Sequence, residues 1–599
     1  MAAEDLPSEF DVVILGTGLA ESVVAAACSR VGQRVLHVDR RSYYAANWAS
    51  FTFNALLTWI QEHKAESLSE EVQDRSSLVE EGEELIYLSG SDSASISNLQ
   101  VFCYISEEAE EEEEPPNTTE EEEAGAAGED AAKEPSETES AGSKEEETGE
   151  AAEGDEQAAQ EQGEEPEADQ PQPSAPPSQS EPTRKKISYT QLEKEGRRFN
   201  IDLVSKLMYS RGSLVDLLIK SNVSRYAEFK NVTRILTYRH GSVEQVPCSR
   251  ADVFASRQLS VVEKRKLMRF LTSCVEETEE HQAYNGRPFL EFLREQQLGD
   301  NLQHFLLHSI AMVTEDTLTE VGLASTRHFL RCLGRYGNTP FLFPVYGLGE
   351  IPQCFCRMSA VFGGIYCLRH SVSCLIVDKD SNRCKAVIDS RGQRISCSHF
   401  VVEDGFVGAD RQVTTPTRFL SRAVLITDAS VLPGDSEQQV SLVTVPPTDG
   451  RPAVNMVELS PSTMTCIPGT CEFTCCVSVC PSAENRPAVL WCLYFNMADG
   501  SGVEPEGHDL PSNVYVCSGP DGALGHEHAI KQAESIFLKI LPEEEFCPPA
   551  PNPEDIIYDG ENTSPTSTGE EEGLTAAGGE GEEKQQEQQE EETSLQPEE

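Results

Sequence analysis

A β-strand that runs directly into a glycine-rich turn opens the chain, and this feature restricts the possible folds more than any other. The strand at residues 11–15 leads into Gly16-Thr17-Gly18, a second apolar strand covers residues 34–38, and Asp39 follows it. This spacing is typical of the βαβ unit that binds a dinucleotide, whose first turn holds the pyrophosphate. The sequence therefore predicts a Rossmann-like sheet at the start of the chain.

The third glycine of this motif is missing, because Glu21 stands in its place. That glycine normally lets helix and strand pack closely, and the pyrophosphate needs the positive end of the same helix. A carboxylate in the first turn takes up that positive end. We therefore predict that no cofactor binds and that the function lies on another surface. The degenerate cofactor motif consists of Gly16, Gly18, Glu21 and Asp39.

The formal net charge of −56 is concentrated in two segments. Residues 107–182 contain 29 acidic and 2 basic residues, and residues 559–599 contain 14 acidic and 1 basic residue, which leaves −16 for the rest of the chain. Both segments are rich in Glu, Gly, Ala, Ser and Pro and poor in core-forming residues, so we expect both to be disordered. Such acidity also excludes nucleic acid as a partner.

The ends and the apolar runs of the chain predict its compartment. The first residues do not resemble a secretory signal, residue 2 is not the glycine needed for myristoylation, and no run of about 18 apolar residues could span a membrane. We therefore expect the protein in the cytoplasm, in the cytosol.

The cysteines and histidines do not indicate a metal site. The 19 cysteines include Cys471, Cys475, Cys476 and Cys480, which lie in a β-like apolar stretch without paired C-x-x-C motifs. We interpret the cysteines as reduced, half-buried thiols. The sequence His526-Glu527-His528 is interpreted as a surface turn, because two histidines at this spacing lack further ligands.

The pattern of apolar residues predicts a mixed architecture. Apolar residues recur every three to four positions through residues 251–335, which predicts a small helical domain, whereas short strands dominate after Pro340. The predicted fold is α/β with α+β character: a Rossmann-like, flavoprotein-type sheet domain without cofactor, with an inserted helical domain and disordered acidic segments. The predicted divisions are residues 8–106 and 187–250 (first parts of the sheet domain), 107–182 (acidic insertion), 251–335 (helical domain), 336–558 (remainder of the sheet domain) and 559–599 (acidic tail).

Three blocks of sequence resemble the signature blocks of the Rab GDP-dissociation inhibitor and Rab escort protein superfamily. They are residues 15–21 with 36–40 and 43–44, residues 337–353, and residues 357–366. The acidic insertion, the length, and the segments 362–370 and 546–555 resemble the escort proteins more than the inhibitors, which are shorter and lack the insertion. One departure is Ala45-Ala46, where the superfamily often has two glycines.

The resemblance implies a chaperone of a lipidated switch protein and not a catalyst. Escort proteins bind newly made, GDP-bound Rab GTPases, present them to the α/β dimer of Rab geranylgeranyltransferase, and carry the geranylgeranylated Rab to membranes through transient contact. The resemblance also implies that the helical domain shelters the lipid groups and docks the α-subunit of the transferase. The positions that match the superfamily's Rab-binding platform are Tyr44, Glu350, Arg357, Ile365 and Cys367. The predicted transferase-docking residues are Phe270 and Val275, on the helix around residues 264–271.

Alternatives remain open at this point. Glu350 stands in a Gly/Pro-rich stretch and could cap a helix or solvate a loop, Arg357 could pair with a core carboxylate, and Phe270 and Val275 could simply be buried. Two rival functions are a Rab GDP-dissociation inhibitor that recycles prenylated Rabs and, less favoured because of Glu21, an FAD-dependent oxidoreductase.

We predict that deletion of the acidic insertion, residues 107–182, leaves folding and Rab prenylation nearly unchanged. The segment contains few residues that could pack on a core, and each halving of a loop's length changes its closure free energy by only about 0.6 kcal/mol. Thermal unfolding and an in vitro prenylation assay of the deletion variant test this. A variant that melts many degrees lower, or no longer supports prenylation at ordinary salt, would show that the insertion docks onto the body or a partner.

Overall fold

The computed structural model describes residues 6–65, 74–90, 95–107, 187–408, 411, 418–432, 438–448, 451–476, 487–502 and 508–550. The predicted acidic insertion, apart from Glu107, and the predicted acidic tail lie outside these residues. Residues 551–558 of the predicted sheet domain also lie outside them.

The described residues contain 21 β-strands and 12 α-helices. In chain order the strands are β1 (Glu9–Leu15), β2 (Val35–Asp39), β3 (Ser50–Phe51), β4 (Glu83–Tyr87), β5 (Ile96–Cys103), β6 (Ile201–Asp202), β7 (Met208–Tyr209), β8 (Phe229–Asn231), β9 (Arg234–Arg239), β10 (Ser242–Gln245), β11 (Phe341–Pro344), β12 (Ile365–Leu368), β13 (Val372–Asp378), β14 (Arg383–Asp389), β15 (Arg394–Glu403), β16 (Phe419–Thr427), β17 (Ser441–Val445), β18 (Val454–Leu459), β19 (Cys471–Cys476), β20 (Val489–Ala498) and β21 (Val514–Cys517). The helices are α1 (Leu19–Arg30), α2 (Phe53–Ala65), α3 (Tyr189–Lys194), α4 (Ser213–Lys220), α5 (Arg250–Ala255), α6 (Val261–Ser273), α7 (Glu279–Gln282), α8 (Phe289–Glu295), α9 (Asp300–His304), α10 (Thr319–Cys332), α11 (Glu350–Val361) and α12 (Glu527–Ile540).

The first sheet has eight strands and contains the glycine-rich turn. Its order is β12-β2-β1-β15-β14-β13-β4, and β21 pairs with the end of β15. The strands β12, β2, β1, β15 and β21 are parallel to one another, whereas β14, β13 and β4 pair antiparallel. Because β15 and β21 come late in the chain, the predicted Rossmann-like sheet that is completed by late residues is confirmed.

A second sheet of eight strands follows the order β10-β9-β17-β18-β19-β16-β20-β5. Its pairs are antiparallel except for β9 and β17. Two small sheets complete the described strands, one of β7-β11-β8 and one of β3-β6. The predicted mixed α/β fold with a strand-rich second half is therefore confirmed.

Helix α1 fixes the position of α11. Eleven of its twelve residues are buried, and such burial suits its short side chains. The hydroxyls of Ser29 and Ser359 lie 2.9 Å apart, and the Cys356 thiol donates to the Ser22 hydroxyl at 3.3 Å. Small polar side chains thus let the two helices approach closely, and α11 is held against the helix that follows the glycine-rich turn.

The segment predicted to be helical, residues 251–335, contains most of α5 and all of α6–α10, together with a π-helix at Phe305–Ile310. Helices α8 and α10 are in close contact, because a Cβ atom added to Gly322 would meet the ring of Phe289. Both residues are buried. The extent of this region as a separate domain stays a prediction.

The second half differs from the sequence interpretation at three points. Short strands were predicted after Pro340, but α11 and α12 also lie there. Glu350 does not lie in a solvated loop, because α11 begins at this residue, and Pro352 is tolerated in the first helical turn, where the backbone N–H groups lack partners in the helix. His526 is not in a surface turn either: it is buried, precedes α12, and its ring stacks on Trp48 with 5.6 Å between centroids.

The cysteines with described side chains are 17 free thiols, and they are buried except for Cys103, Cys367 and Cys471. The prediction that they are half-buried was therefore wrong for most of them. Within the described residues, no three His, Cys, Asp or Glu side chains converge as a metal site. No helix in the same residues has the length and apolar character needed to cross a membrane.

Candidate functional site

The glycine-rich turn lies between β1 and α1. Gly16 has a φ of 111°, which favours glycine, and Gly18 is the N-cap of α1. Asp39, at the end of β2, is buried and accepts hydrogen bonds from the Thr17 hydroxyl at 2.7 Å and from the Arg41 N–H at 2.8 Å. The carboxylate that would hold a ribose hydroxyl is therefore already bonded within the chain.

Arg41 forms a buried ion pair beside this turn. Its guanidinium donates to both carboxylate oxygens of Glu403, at 2.7 and 2.9 Å, and lies 3.4 Å from a carboxylate oxygen of Asp39. It also lies over the ring of Phe406, 5.1 Å from the centroid. The side chains of Arg41 and Glu403 are only 8% and 6% exposed, so water and salt screen the pair weakly.

Glu21 adds a second carboxyl group over the turn. It is 1% exposed, and its Oε2 atom has no hydrogen-bond partner among the described residues. Burial raises the pKa of Glu21 well above its usual range, Glu403 acts in the same direction, and Arg41 opposes it. A Cβ atom added to Gly18 would lie 2.5 Å from Glu21 Oε2. The carboxyl group therefore occupies the space directly above the turn.

A dinucleotide does not fit this turn. The two motif glycines make room for side chains of the protein itself, since a Cβ atom added to Gly16 would lie 2.8 Å from Glu403 Cβ. A diphosphate would meet the carboxyl groups of Glu21 and Glu403 where a working site presents only backbone N–H groups.

Natively purified protein is expected to contain neither FAD nor NAD, because Glu21 and Glu403 oppose a diphosphate. The supernatant of heat-denatured protein is examined for flavin absorbance and, after enzymatic reduction of any NAD to NADH, for nicotinamide fluorescence. The variant Glu21→Gly, which restores the third glycine, serves as a comparison and should also lack cofactor, since the Arg41–Glu403 pair remains. Stoichiometric flavin released from the natural chain would contradict the prediction.

Glu350 and Arg357 lie on one face of α11, since seven residues make about two helical turns. Glu350 is half-buried; burial raises the pKa of its carboxyl, and Arg357 acts in the opposite direction. Arg357 is exposed, and its guanidinium lies over the ring of Tyr226, 5.4 Å from the centroid. A carboxyl and a guanidinium group on one accessible helix face can make charge-assisted hydrogen bonds to a partner.

Sequence reasoning missed Tyr226. This residue lies in the 3₁₀ turn Val223–Tyr226, far from α11 in sequence, and no motif pointed to it. Its ring restricts the Arg357 side chain through a cation–π contact. Only the fold brings the two residues together.

The remaining predicted Rab-contact residues surround the edge strand β12. The Tyr44 ring stacks on Tyr366 of β12, with 5.0 Å between centroids and an angle of 21°. Neighbouring residues of a strand face opposite sides of the sheet, so Ile365 and Cys367 point away from this stack, and they pack, half-buried, on the apolar cluster that contains Phe406.

The five predicted contact residues thus lie in three places. Glu350 and Arg357 share a face of α11, whereas Ile365 and Cys367 lie on the face of β12 opposite to Tyr44. Their role in binding stays a prediction.

The loop after Tyr44 is strained. Ala45 has a φ of 73° and Ala46 a φ of 50°, a left-handed conformation that costs a residue with a Cβ atom roughly 1–2 kcal/mol. The Ala45 N–H donates to the Thr17 hydroxyl at 3.1 Å, which ties the loop to the glycine-rich turn. The backbone that follows Tyr44 is therefore held in place by contacts with the glycine-rich turn.

The two predicted transferase-docking residues differ in exposure. Phe270 is buried in α6, and its ring lies 6.0 Å from that of Phe292. Val275 is 48% exposed but is not on the predicted helix, because α6 ends at Ser273. Only Val275 is accessible for direct contact with a partner.

Two family models match the chain. One, described as GDP dissociation inhibitor, matches residues 6–105 and 183–452, which is more than half of the chain. The other, described as RAE1/2 domain I, C-terminal region, matches residues 473–522. Together they cover the glycine-rich turn, α11, β12 and part of the second sheet.

Curated proteins are similar over nearly the whole chain. The chain is 50% identical to Rab proteins geranylgeranyltransferase component A 1 of Rattus norvegicus, over 94% of this chain and 95% of that protein. It is 49% identical to component A 2 of Mus musculus, over 93% of this chain and 100% of that protein. Among solved structures, the fold is similar to that of a Rab GDI from Plasmodium falciparum, with a TM-score of 0.56 and 16% identity over 90% of this chain and 100% of that chain. At this identity the last likeness concerns the fold alone.

Proposed function

The chain belongs to the GDP dissociation inhibitor family and, within it, to the Rab escort proteins, and on this premise we propose that it binds newly made, GDP-bound Rab GTPases and presents them to Rab geranylgeranyltransferase. The observation that carries the proposal is the identity of about half of all aligned residues with component A proteins over nearly the full length of both chains. The Glu350–Arg357 face of α11 supports it, because a newly made Rab carries no lipid yet and must be recognised through contacts with the protein itself.

In this proposal the protein is an accessory component and not a catalyst. Glu21 and Glu403 oppose the cofactor that the fold would otherwise hold. The transferase α/β dimer supplies the prenylation chemistry, and this chain supplies recognition. Val275 offers an accessible apolar contact for that dimer, whereas Phe270 acts through its packing in α6.

A carrier is needed because the product is strongly apolar. Each buried CH₂ group contributes about 0.8 kcal/mol to membrane or protein association, so two geranylgeranyl chains on one Rab would cause aggregation in water or firm anchoring. We propose that the protein stays with the prenylated Rab in the cytosol, shields the lipid groups, and releases them during a transient contact with the membrane.

In vitro prenylation tests the proposal. A GDP-bound Rab, labelled geranylgeranyl diphosphate and the catalytic dimer are incubated with and without this chain, and lipid transfer to Rab is measured. Transfer should require the chain, and omission of the dimer should abolish it. Absence of stimulation would contradict the escort function.

The prenylation assay also distinguishes the escort function from the two rival functions, a recycling inhibitor and an oxidoreductase. A recycling inhibitor would extract prenylated Rab from membranes but would neither bind the dimer nor stimulate transfer. The match of residues 473–522 of this chain to the RAE1/2 region favours the escort function. An oxidoreductase would require a cofactor that the glycine-rich turn does not fit.

A further inference from the structure

A tight turn directly precedes Glu350 and determines where α11 begins. Tyr346 has a φ of 72° and Gly347 a φ of 94°, so two successive residues have a left-handed backbone. Such a turn persists only where surrounding contacts hold it. The Tyr346 N–H donates to the Thr463 carbonyl at 2.9 Å, which holds one end of the turn.

Ser50 and Asp202 hold the other end. The Asp202 carboxylate accepts hydrogen bonds from the Leu348 N–H at 2.9 and 3.1 Å and from the Ser50 hydroxyl. The Ser50 hydroxyl in turn accepts from the Gly349 N–H at 2.8 Å. Ser50 and Asp202 face each other across the β3–β6 pair. We call these two side chains the Ser50–Asp202 clamp.

The glycines of the turn make room for the clamp. A Cβ atom added to Gly347 would meet the Ser50 hydroxyl and the Asp202 carboxylate, and one added to Gly349 would lie 2.7 Å from the Ser50 backbone nitrogen. The glycines of the segment Tyr346-Gly347-Leu348-Gly349 therefore let this turn pack directly against β3 and β6, two short strands distant in sequence.

The clamp lies in a buried environment that disfavours the ionised form of the Asp202 carboxyl group. Asp202 is 1% exposed, and burial raises its pKa to about 7, although hydrogen bonds from Ser50 and Leu348 act in the opposite direction. Its backbone N–H donates to the buried Glu472 at 3.3 Å. Among the described residues, the Asp202 side chain hydrogen-bonds to Ser50 and Leu348, which both adjoin this turn, and its charge also raises the pKa of Glu472.

We propose that Ser50 and Asp202 are positioning residues for Rab binding: they fix the Tyr346–Gly349 turn and thereby place the Glu350 carboxylate at the start of α11. This inference rests on the proposed Rab-binding function. The clamp residues do not contact Rab, and they act on affinity through Glu350.

A double-mutant cycle tests the proposal on the full chain, with a GDP-bound Rab as ligand in a calorimetric or fluorescence titration. Ser50→Ala removes the hydroxyl that accepts from the Gly349 N–H and donates to Asp202. This change should weaken binding about tenfold. In a Glu350→Ala background the same change should alter affinity by about twofold or less, because the group that the clamp positions is absent. Asp202→Asn keeps the shape and should have a smaller effect in the same direction.

A matched control is Ser381→Ala, which removes a Ser–Asp hydrogen bond of the same kind, to Asp378, in the exposed turn between β13 and β14. It should leave Rab affinity unchanged. Full additivity of Ser50→Ala and Glu350→Ala, or unchanged affinity in both Ser50→Ala and Asp202→Asn while Glu350→Ala weakens binding, would overturn the clamp alone. A wild-type chain that does not bind Rab would overturn the proposed function and, with it, the clamp.

Discussion

Replacement of Arg41 by methionine is expected to lower the free energy of unfolding by about 3–5 kcal/mol, because breaking a buried ion pair leaves uncompensated charge in the interior. The Arg41 guanidinium pairs with the carboxylates of Glu403 and Asp39, and it opposes the rise in the pKa of Glu21. Methionine retains much of the length and apolar surface of arginine. The decrease in the free energy of unfolding therefore reports mainly the loss of the charge and its hydrogen bonds. Urea unfolding followed by circular dichroism gives the value.

Arg34→Met is the matched control for Arg41→Met. Arg34 also bonds to two carboxylates, those of Asp11 and Glu9, but its side chain is 53% exposed, so the free energy of unfolding should change little. Arg41→Lys keeps the charge without the two-pronged bond to Glu403 and should fall between the wild type and Arg41→Met. Wild-type stability of Arg41→Met would show that the carboxyl groups are neutral or hydrated in solution.

Rab affinity should fall by about 2–5 kcal/mol when either Glu350 or Arg357 is changed to alanine, since each change leaves a polar group of the partner desolvated and unpaired. The fold should survive, because Glu350 is only half-buried and Arg357 is exposed. Titration of each variant with a GDP-bound Rab gives the affinity, and thermal unfolding checks the fold.

The controls for these changes are Lys531→Ala and Glu534→Ala, which remove one charge of each sign from the exposed face of α12. They should bind Rab like the wild type. Arg357→Lys distinguishes the geometry of the guanidinium from its charge and should weaken binding less than alanine does. Wild-type affinity in both Glu350→Ala and Arg357→Ala would place the Rab-binding surface elsewhere.

The parts of the fold that could be predicted from the sequence depend on local patterns. The first strand, the glycine-rich turn and Asp39 lie within about forty residues and carry a known spacing. Helix α11 was missed because glycines precede it and Pro352 lies inside it, although proline is acceptable in a first turn. Helix α12 was missed because His526 and Glu527 were interpreted as a turn.

The candidate site was less predictable because its contacts join distant segments. Arg41 and Glu403 are 362 positions apart, and Asp202 and Leu348 are 146 apart. No periodicity or motif relates such positions. Glu21 could be recognised as the wrong residue for a phosphate site, but its proximity to Glu403 depends on β15 lying beside β1. Contacts across a sheet follow the strand order, which no local pattern of residues specifies.

The strand order of the first sheet sets the timing of folding during synthesis. Glu9 of β1 pairs with Ser396 of β15, and β21 joins only with residues 514–517. At about 5–20 residues per second, a ribosome needs roughly 20–80 s to travel from the first partner to the second. During that interval one edge of β1 and the apolar surface of α1 lack their final neighbours. A transcript truncated anywhere before β15 therefore yields an unfinished sheet that quality-control chaperones can bind and proteases can remove.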